Sequence, residues 1–204
     1  MSWMEKDLAL CCTTMQKQVV HWNKVAGNEQ RDLEVLQTCQ SALVREELGE
    51  LVEAYHNKDR GEFIKELCDA LVVSLYEWHL HSKDLAIAIH QDSPQRGLAL
   101  CMSTVEACLE EQNTIGVLPL LVRAFEIANA DMGKAWKAVM DNNYSKFIGS
   151  WEISRLEMSL EKKHPHARLD RVDGYSVLKD PETGKVLKPY GYQKLTNMRE
   201  YCYE

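Results

Sequence analysis

Five acidic residues in two short runs carry the clearest chemical signal in this chain. Glu46, Glu47 and Glu50 lie in Val44-Arg-Glu-Glu-Leu-Gly-Glu-Leu-Val-Glu53, and Glu66-Leu-Cys-Asp69 follows. At about 100° per residue, Glu47 and Glu50 fall within about 40° of Leu43, on a side shared with Ala54 and Leu51. Glu66 and Asp69 stand one turn apart on a segment whose apolar residues (Leu67, Ala70, Leu71, Val72, Val73, Leu75, Tyr76, Trp78) surround the helix. Two i,i+3 carboxylate pairs on successive helices can face each other. Ionised and unpaired in a low dielectric they would cost several kcal/mol, so they call for protons or cations. Lys65, i−4 to Asp69, is the one basic residue at i±3 or i±4 of either pair and is expected off to one side. Glu47, Glu50, Glu66 and Asp69 offer neither His nor Cys, so the matching ion is hard and oxygen-seeking, Mg²⁺ or Mn²⁺. Taken alone, Glu-Glu-x-x-Glu also reads as a solvated helix face. The second pair, on an apolar helix, is harder to read that way.

The elements that must position these side chains are helical. A first helix is predicted over about Glu5–Val25, stopped by Ala26-Gly27-Asn28. The acid-bearing helices follow, about Leu33–His56 and Glu62–His81, the latter central and buried. Further helices are predicted over Leu85–His90, Gln95–Glu111, Leu120–Ala128, Asp131 to about Phe147, and Ile153–Lys163, ending at His164-Pro165. Beyond that, Gly, Pro and Tyr dominate. Tyr175–Lys179 and Lys185–Lys188 flank Asp180-Pro-Glu-Thr-Gly184, which reads as a hairpin. The organisation is one helical domain over residues 1–165 with an irregular C-terminal appendage over 166–204.

Composition agrees. Of 204 residues, 45% are apolar and 27% charged, enough for an ordinary core. Only Pro94 and Pro119 precede residue 165, so helix breakers are scarce. The net charge of −7 argues against a nucleic-acid grip, and Lys162, Lys163, Arg168 and Arg171 form the only basic patch. No apolar run approaches a membrane span, and the start lacks the order of a signal peptide. Seven cysteines without a disulfide spacing point to a reduced, cytoplasmic setting.

The spacing Glu46-Glu47-x-x-Glu50, then Glu66-x-x-Asp69, resembles the signature of the all-α NTP pyrophosphatases: MazG-like proteins, dimeric dUTPases and phosphoribosyl-ATP pyrophosphohydrolases. Asp141-Asn-Asn143-Tyr-Ser-Lys146-Phe resembles the Asn-x-x-Lys run of MazG-like proteins of phage and bacterial type. Val20-His-Trp-Asn-Lys24 and the tail Asp180–Tyr192 look like the same branch. The resemblance implies an all-α MazG-like bundle that hydrolyses a nucleoside triphosphate between its α- and β-phosphorus atoms, releasing pyrophosphate. It implies Glu47, Glu50, Glu66 and Asp69 as Mg²⁺ ligands (Mn²⁺ substituting), and Glu46 as a carboxylate beside them. Glu46 or Glu50 would activate the water, and Lys146 and Asn143 would meet phosphate or sugar. It also implies a homodimer or homotetramer in the cytoplasm (the host's, if phage-encoded) and tilts the substrate towards a purine dNTP such as dGTP or dATP. About 73 residues separate Asp69 from the Asn-x-x-Lys run, where the compact layout needs only a loop and one helix. The inserted helices, about residues 85–128, depart from that pattern.

Other residues admit two readings. Asn143 and Lys146 also suit a helix C-terminus. His21 and Trp22 fit either a base pocket or a packed Trp with a rim His. Tyr190 and Tyr192 fit either closure over substrate or packing on the helical core, the second being favoured. Glu53-x-x-His56 and Glu161-x-x-His164 are fragments of a di-iron motif without a well-placed second copy, and such a site is rejected. The rival to an enzyme is a helical binding or regulatory protein that retains the fold without turnover.

Overall fold

The computed structural model describes residues 3–85, 97–196 and 198–203, with side chains from Cys11 onward. Its helices are α1 (Trp3–Val25), α2 (Leu33–His56), α3 (Arg60–Leu80), α4 (Leu98–Glu110), α5 (Leu118–Ile127), α6 (Met132–Tyr144) and α7 (Ile153–Met158). Strands β1 (Ile148–Gly149), β2 (Arg168–Val172) and β3 (Tyr175–Lys179) form an antiparallel sheet in the order β1-β3-β2. The chain is therefore mostly helical, with a small sheet near its C-terminal end.

The helices start where short acids can cap them. Asp32 accepts from the Glu34 and Val35 amides, Asp59 from Gly61 and Glu62, and Asp131 from Lys134. Between α2 and α3 only Asn57–Asp59 intervene, and Lys58 adopts a left-handed φ of 58°. So short a turn folds the two helices back along each other. Gln40 Nε2 and Gln37 Nε2 of α2 then reach the Val73 and Leu80 carbonyls of α3, at 2.8 and 3.0 Å.

α3 is the central helix, as its all-round apolarity predicts. It packs against α1, α2, α5 and α6, and Leu67, Leu71 and Leu75 are buried. Such a leucine contributes roughly 1.5–3 kcal/mol of burial, and Leu67→Ala would cost about 2–5 kcal/mol. The buried face of α2 runs through Leu36, Gln40, Val44, Leu48, Leu51 and Ala54. Leu43, used above to define that face, lies at its margin and is 44% exposed.

A second small cluster docks the sheet on the end of α1: Val25, Ala26, Phe147 and Val177, with Trp22 against them. Gly27, at φ 73°, ends α1 there, and any side chain on it would collide with the buried Lys179 ammonium, itself paired with Asp170 at 2.8 Å.

Several expected boundaries move. Pro119 does not delay α5 to Leu120, because a first-turn proline needs no amide partner, and the helix begins at Leu118. α6 ends at Tyr144 rather than Phe147, since Phe147 and Ile148 turn into the sheet. The Ile153–Lys163 helix is α-helical only to Met158 and widens into a π turn over Ser159–Lys163. The main hairpin is β2–β3, turned by Asp173 and Gly174, both at positive φ (50° and 80°). The expected 175–188 hairpin is reduced to one bridge, Lys179 with Val186. Here Asp180 Oδ1 takes the Glu182 and Thr183 amides and closes a local turn. The predicted helix Leu85–His90 falls, after Leu85, outside the described residues.

Candidate metal centre

The α2–α3 turn brings the two acidic runs together. Glu47 lies eleven residues before Lys58 and Asp69 eleven after it, so antiparallel helices set them side by side, with Glu66 one turn nearer the bend. Glu47, Glu66 and Asp69 each offer a carboxylate oxygen, all within 4.8 Å of one another. Glu66 is 3% exposed; its Oε1 accepts from the Lys65 ammonium, and its Oε2 is buried without a partner.

Lys65 corrects an expectation. Rather than lying off to one side, it is buried at the centre of the acids. Its ammonium pairs with Glu66, with Asp69 at 3.4 Å and with Glu62 at 3.6 Å. At i−4 to Asp69 it stands only about 40° from that residue around α3, and its four-carbon stem also carries the charge to Glu66.

The electrostatics follow from burial and crowding. Burial raises Glu47 to about 7, helped by the charges of Asp69, Glu50 and Glu46 and opposed by Lys65. Burial likewise raises Glu66 to about 8 against its bond to Lys65, and it lifts Asp69 above the ordinary range. Burial alone would lower Lys65, but the Glu66 hydrogen bond and the charges of Asp69, Glu66 and Glu62 hold it above its usual value. One lysine does not neutralise this group of acids, so burial and mutual repulsion favour their protonated forms.

Lys146, in the link between the α6 cap at Ser145 and β1, lies close enough for its charge to couple to Asp69 and Glu47. Burial lowers its pKa, while the charges of Asp69 and Glu47 pull the other way. Its ammonium donates to Asn143 Oδ1 at 2.8 Å and stands 5.6 Å from the centre of the Trp22 ring. Trp22 stacks on Phe147 and donates to the Asn143 carbonyl at 3.0 Å. Arg155 braces this link by donating to the Ser145 and Tyr190 carbonyls, at 2.8 and 3.1 Å, and to Glu152.

Comparison with protein-family models, with curated proteins and with solved structures returns no match. The site is therefore read from its own geometry.

Of the residues singled out by spacing, Glu47, Glu66 and Asp69 converge. Glu50 is exposed and lies outside the group, although its charge reaches Glu47 and Asp69. Glu46 is also exposed, adjoining Glu47. Trp22, Asn143 and Lys146 form one connected wall. His21 stands on the rim, its Nδ1 2.8 Å from the Tyr144 hydroxyl and its Nε2 3.9 Å from Asp173. Cys68 is buried in the core, as expected of a residue facing away from the acids.

Three residues at the site escaped sequence reasoning, Glu62, Asn142 and Lys188, and Tyr192 takes the less favoured of its two readings. Tyr192 donates to Asn142 Oδ1 at 2.9 Å, beneath the Lys188 ammonium 5.3 Å from its ring, and Asp69 contributes to its raised pKa after burial. The tail thus reaches the site through Tyr192, whereas Tyr190, expected on the core, is 43% exposed. The Lys-Pro-Tyr-Gly-Tyr run was the available signal.

The donor set suits a hard cation: all three groups are carboxylates, and one oxygen is buried and unengaged. No other group of three metal-capable side chains occurs among the described residues. His56 contacts Glu106 at 2.7 Å, and His164 contacts the Lys188 carbonyl at 2.8 Å, so neither builds a di-iron site.

Proposed function

We propose that this protein is a Mg²⁺-dependent nucleoside triphosphate pyrophosphohydrolase of MazG-like type, converting a (d)NTP and water to (d)NMP and pyrophosphate. The observation that carries the reading is the convergence of Glu47, Glu66 and Asp69, one of whose oxygens is buried without a partner, with Lys146 near enough for its charge to couple to Asp69 and Glu47. The substrate class is a purine dNTP such as dGTP or dATP, a preference that rests on the family resemblance of the tail.

Glu47, Glu66 and Asp69 would hold the ion, with Glu50 joining them as substrate fills the site. A bound divalent cation would supply positive charge to the triphosphate and lower the cost of deprotonating the attacking water. Glu50, whose charge reaches both Glu47 and Asp69, would orient the attacking water and take its proton, with Glu46 the alternative. Water oxygen bonds to the α-phosphorus, the α–β P–O bond breaks, and pyrophosphate leaves with its charge facing Lys146. Trp22 and His21, held by the Asn143 carbonyl and the Tyr144 hydroxyl, would border the base or sugar.

All seven cysteines are free, which suits a reducing cytoplasm. No described helix is long and apolar enough to cross a membrane. Val35, Cys39, Ala42 and Leu43 leave an exposed apolar strip on α2 beside Glu46, which a second copy in a homodimer or homotetramer would cover. The reading is tested by incubating the protein with a panel of ribo- and deoxynucleoside triphosphates and Mg²⁺ or Mn²⁺. Pyrophosphate is expected from at least one and is abolished by chelator; none from any nucleotide with either metal would reject the reading.

A further inference from the structure

Lys65 occupies the place where a cation would be most favourable. Its ammonium engages Glu66 Oε1 and lies 3.4 Å from Asp69 Oδ2, two of the three acids that converge. A dication held by Glu47, Glu66 and Asp69 would sit a few ångströms from that ammonium and repel it. The opposite oxygen of Glu66 is buried and unpartnered, so the carboxylate is only half engaged by lysine. Lys65 also has somewhere to go. Glu62, one turn earlier on α3, is already 3.6 Å away and has a 39% exposed side chain, against 4% for Glu66.

We propose that Lys65 is a built-in counter-ion that holds the acidic cluster in the metal-free protein and is displaced towards Glu62 when a divalent cation enters. The inference rests on the metal reading above and adds a competition: ammonium and metal share Glu66 and Asp69, so each weakens the other. Lys65 is then a residue that tunes affinity downward, without itself touching the reacting atoms. A purely structural lysine would have the opposite effect, since its loss would let the carboxylates splay and would weaken metal binding.

The test is a calorimetric titration of Mn²⁺ into the wild-type protein and Lys65→Met, with amine-directed labelling of wild-type Lys65 read by mass spectrometry. Lys65→Met is expected to bind Mn²⁺ about tenfold more tightly or better, and to melt at lower temperature than wild type when metal-free. Saturating Mn²⁺ is expected to increase labelling of Lys65 in the wild type, a readout that survives if the variant does not fold. Equal or weaker Mn²⁺ binding in Lys65→Met, or labelling of wild-type Lys65 unchanged while Mn²⁺ binds, overturns the role of Lys65 alone. Absence of Mn²⁺ binding in both proteins overturns the metal centre and this proposal with it.

Discussion

α3 buries two glutamates on nearly the same face, and their surroundings differ in kind. Glu77 is 1% exposed, and one of its oxygens accepts from Ser41 Oγ at 2.5 Å and Thr114 Oγ1 at 2.7 Å. Glu66, three turns earlier, is 3% exposed, shares its space with Glu47 and Asp69, and leaves one oxygen unpartnered. Neutral hydroxyls from two other elements make Glu77 a clamp between α2, α3 and the segment before α5. Like charges and an open lone pair make Glu66 a ligand in waiting. Burial of a carboxylate is therefore not by itself a sign of chemistry; what matters is whether its partners complete it.

Exchanging the two signatures is the way to break this contrast. Glu66→Gln should lower kcat/KM by roughly a hundredfold to a thousandfold, the several kcal/mol expected of a cation's contribution. It should leave the metal-free stability within about 1 kcal/mol, because it removes a charge that lacks full compensation. Glu77→Ala should do the reverse, costing roughly 2–4 kcal/mol in urea denaturation by stranding two hydroxyl donors beside a cavity, with Mn²⁺ affinity unchanged. A loss of metal binding in Glu77→Ala that persists when the variant is folded would erase the distinction.

A pH series sharpens it further. The native pKa values of Glu47 and Glu66, about 7 and about 8, exceed their unfolded value of 4.5, so the folded state binds more protons between those limits. Metal-free stability should therefore be greatest near pH 4.5 and fall as pH rises towards 8. Metal affinity should rise over the same range as protons are released. Glu66→Gln should flatten the stability slope, and a slope of opposite sign would contradict the assigned burial effects. The smallest effect is expected from Thr114→Val, about 1 kcal/mol of stability for one lost donor to Glu77, with no change in metal binding.

The helical frame was legible because it is local. The α2 boundaries follow from Asp32 and the turn at Asn57–Asp59, and the apolar circumference of α3 announces its central place. Glu47, Glu66 and Asp69 were legible because i,i+3 spacing and a short antiparallel turn nearly determine which side chains meet. The Lys65–Asp69 pair was available from its i,i+4 spacing, but the reach of Lys65 to Glu66 was not, since a helical projection locates a Cβ and not the end of a flexible stem. The pairing of Asn142 with Tyr192 was hidden because they stand fifty positions apart and are joined only by the path of the tail. The Asp173-Gly174 turn was overshadowed by Asp180–Gly184, whose glycine and proline serve a side-chain-capped loop instead of a long ladder.

Diffraction from crystals soaked in Mn²⁺, recorded for its anomalous signal, tests the central claim most directly. The account predicts a peak bounded by Glu47, Glu66 and Asp69, with the Lys65 ammonium moved towards Glu62. No peak there at saturating Mn²⁺, with Lys65 still on Glu66 and Asp69, would contradict it.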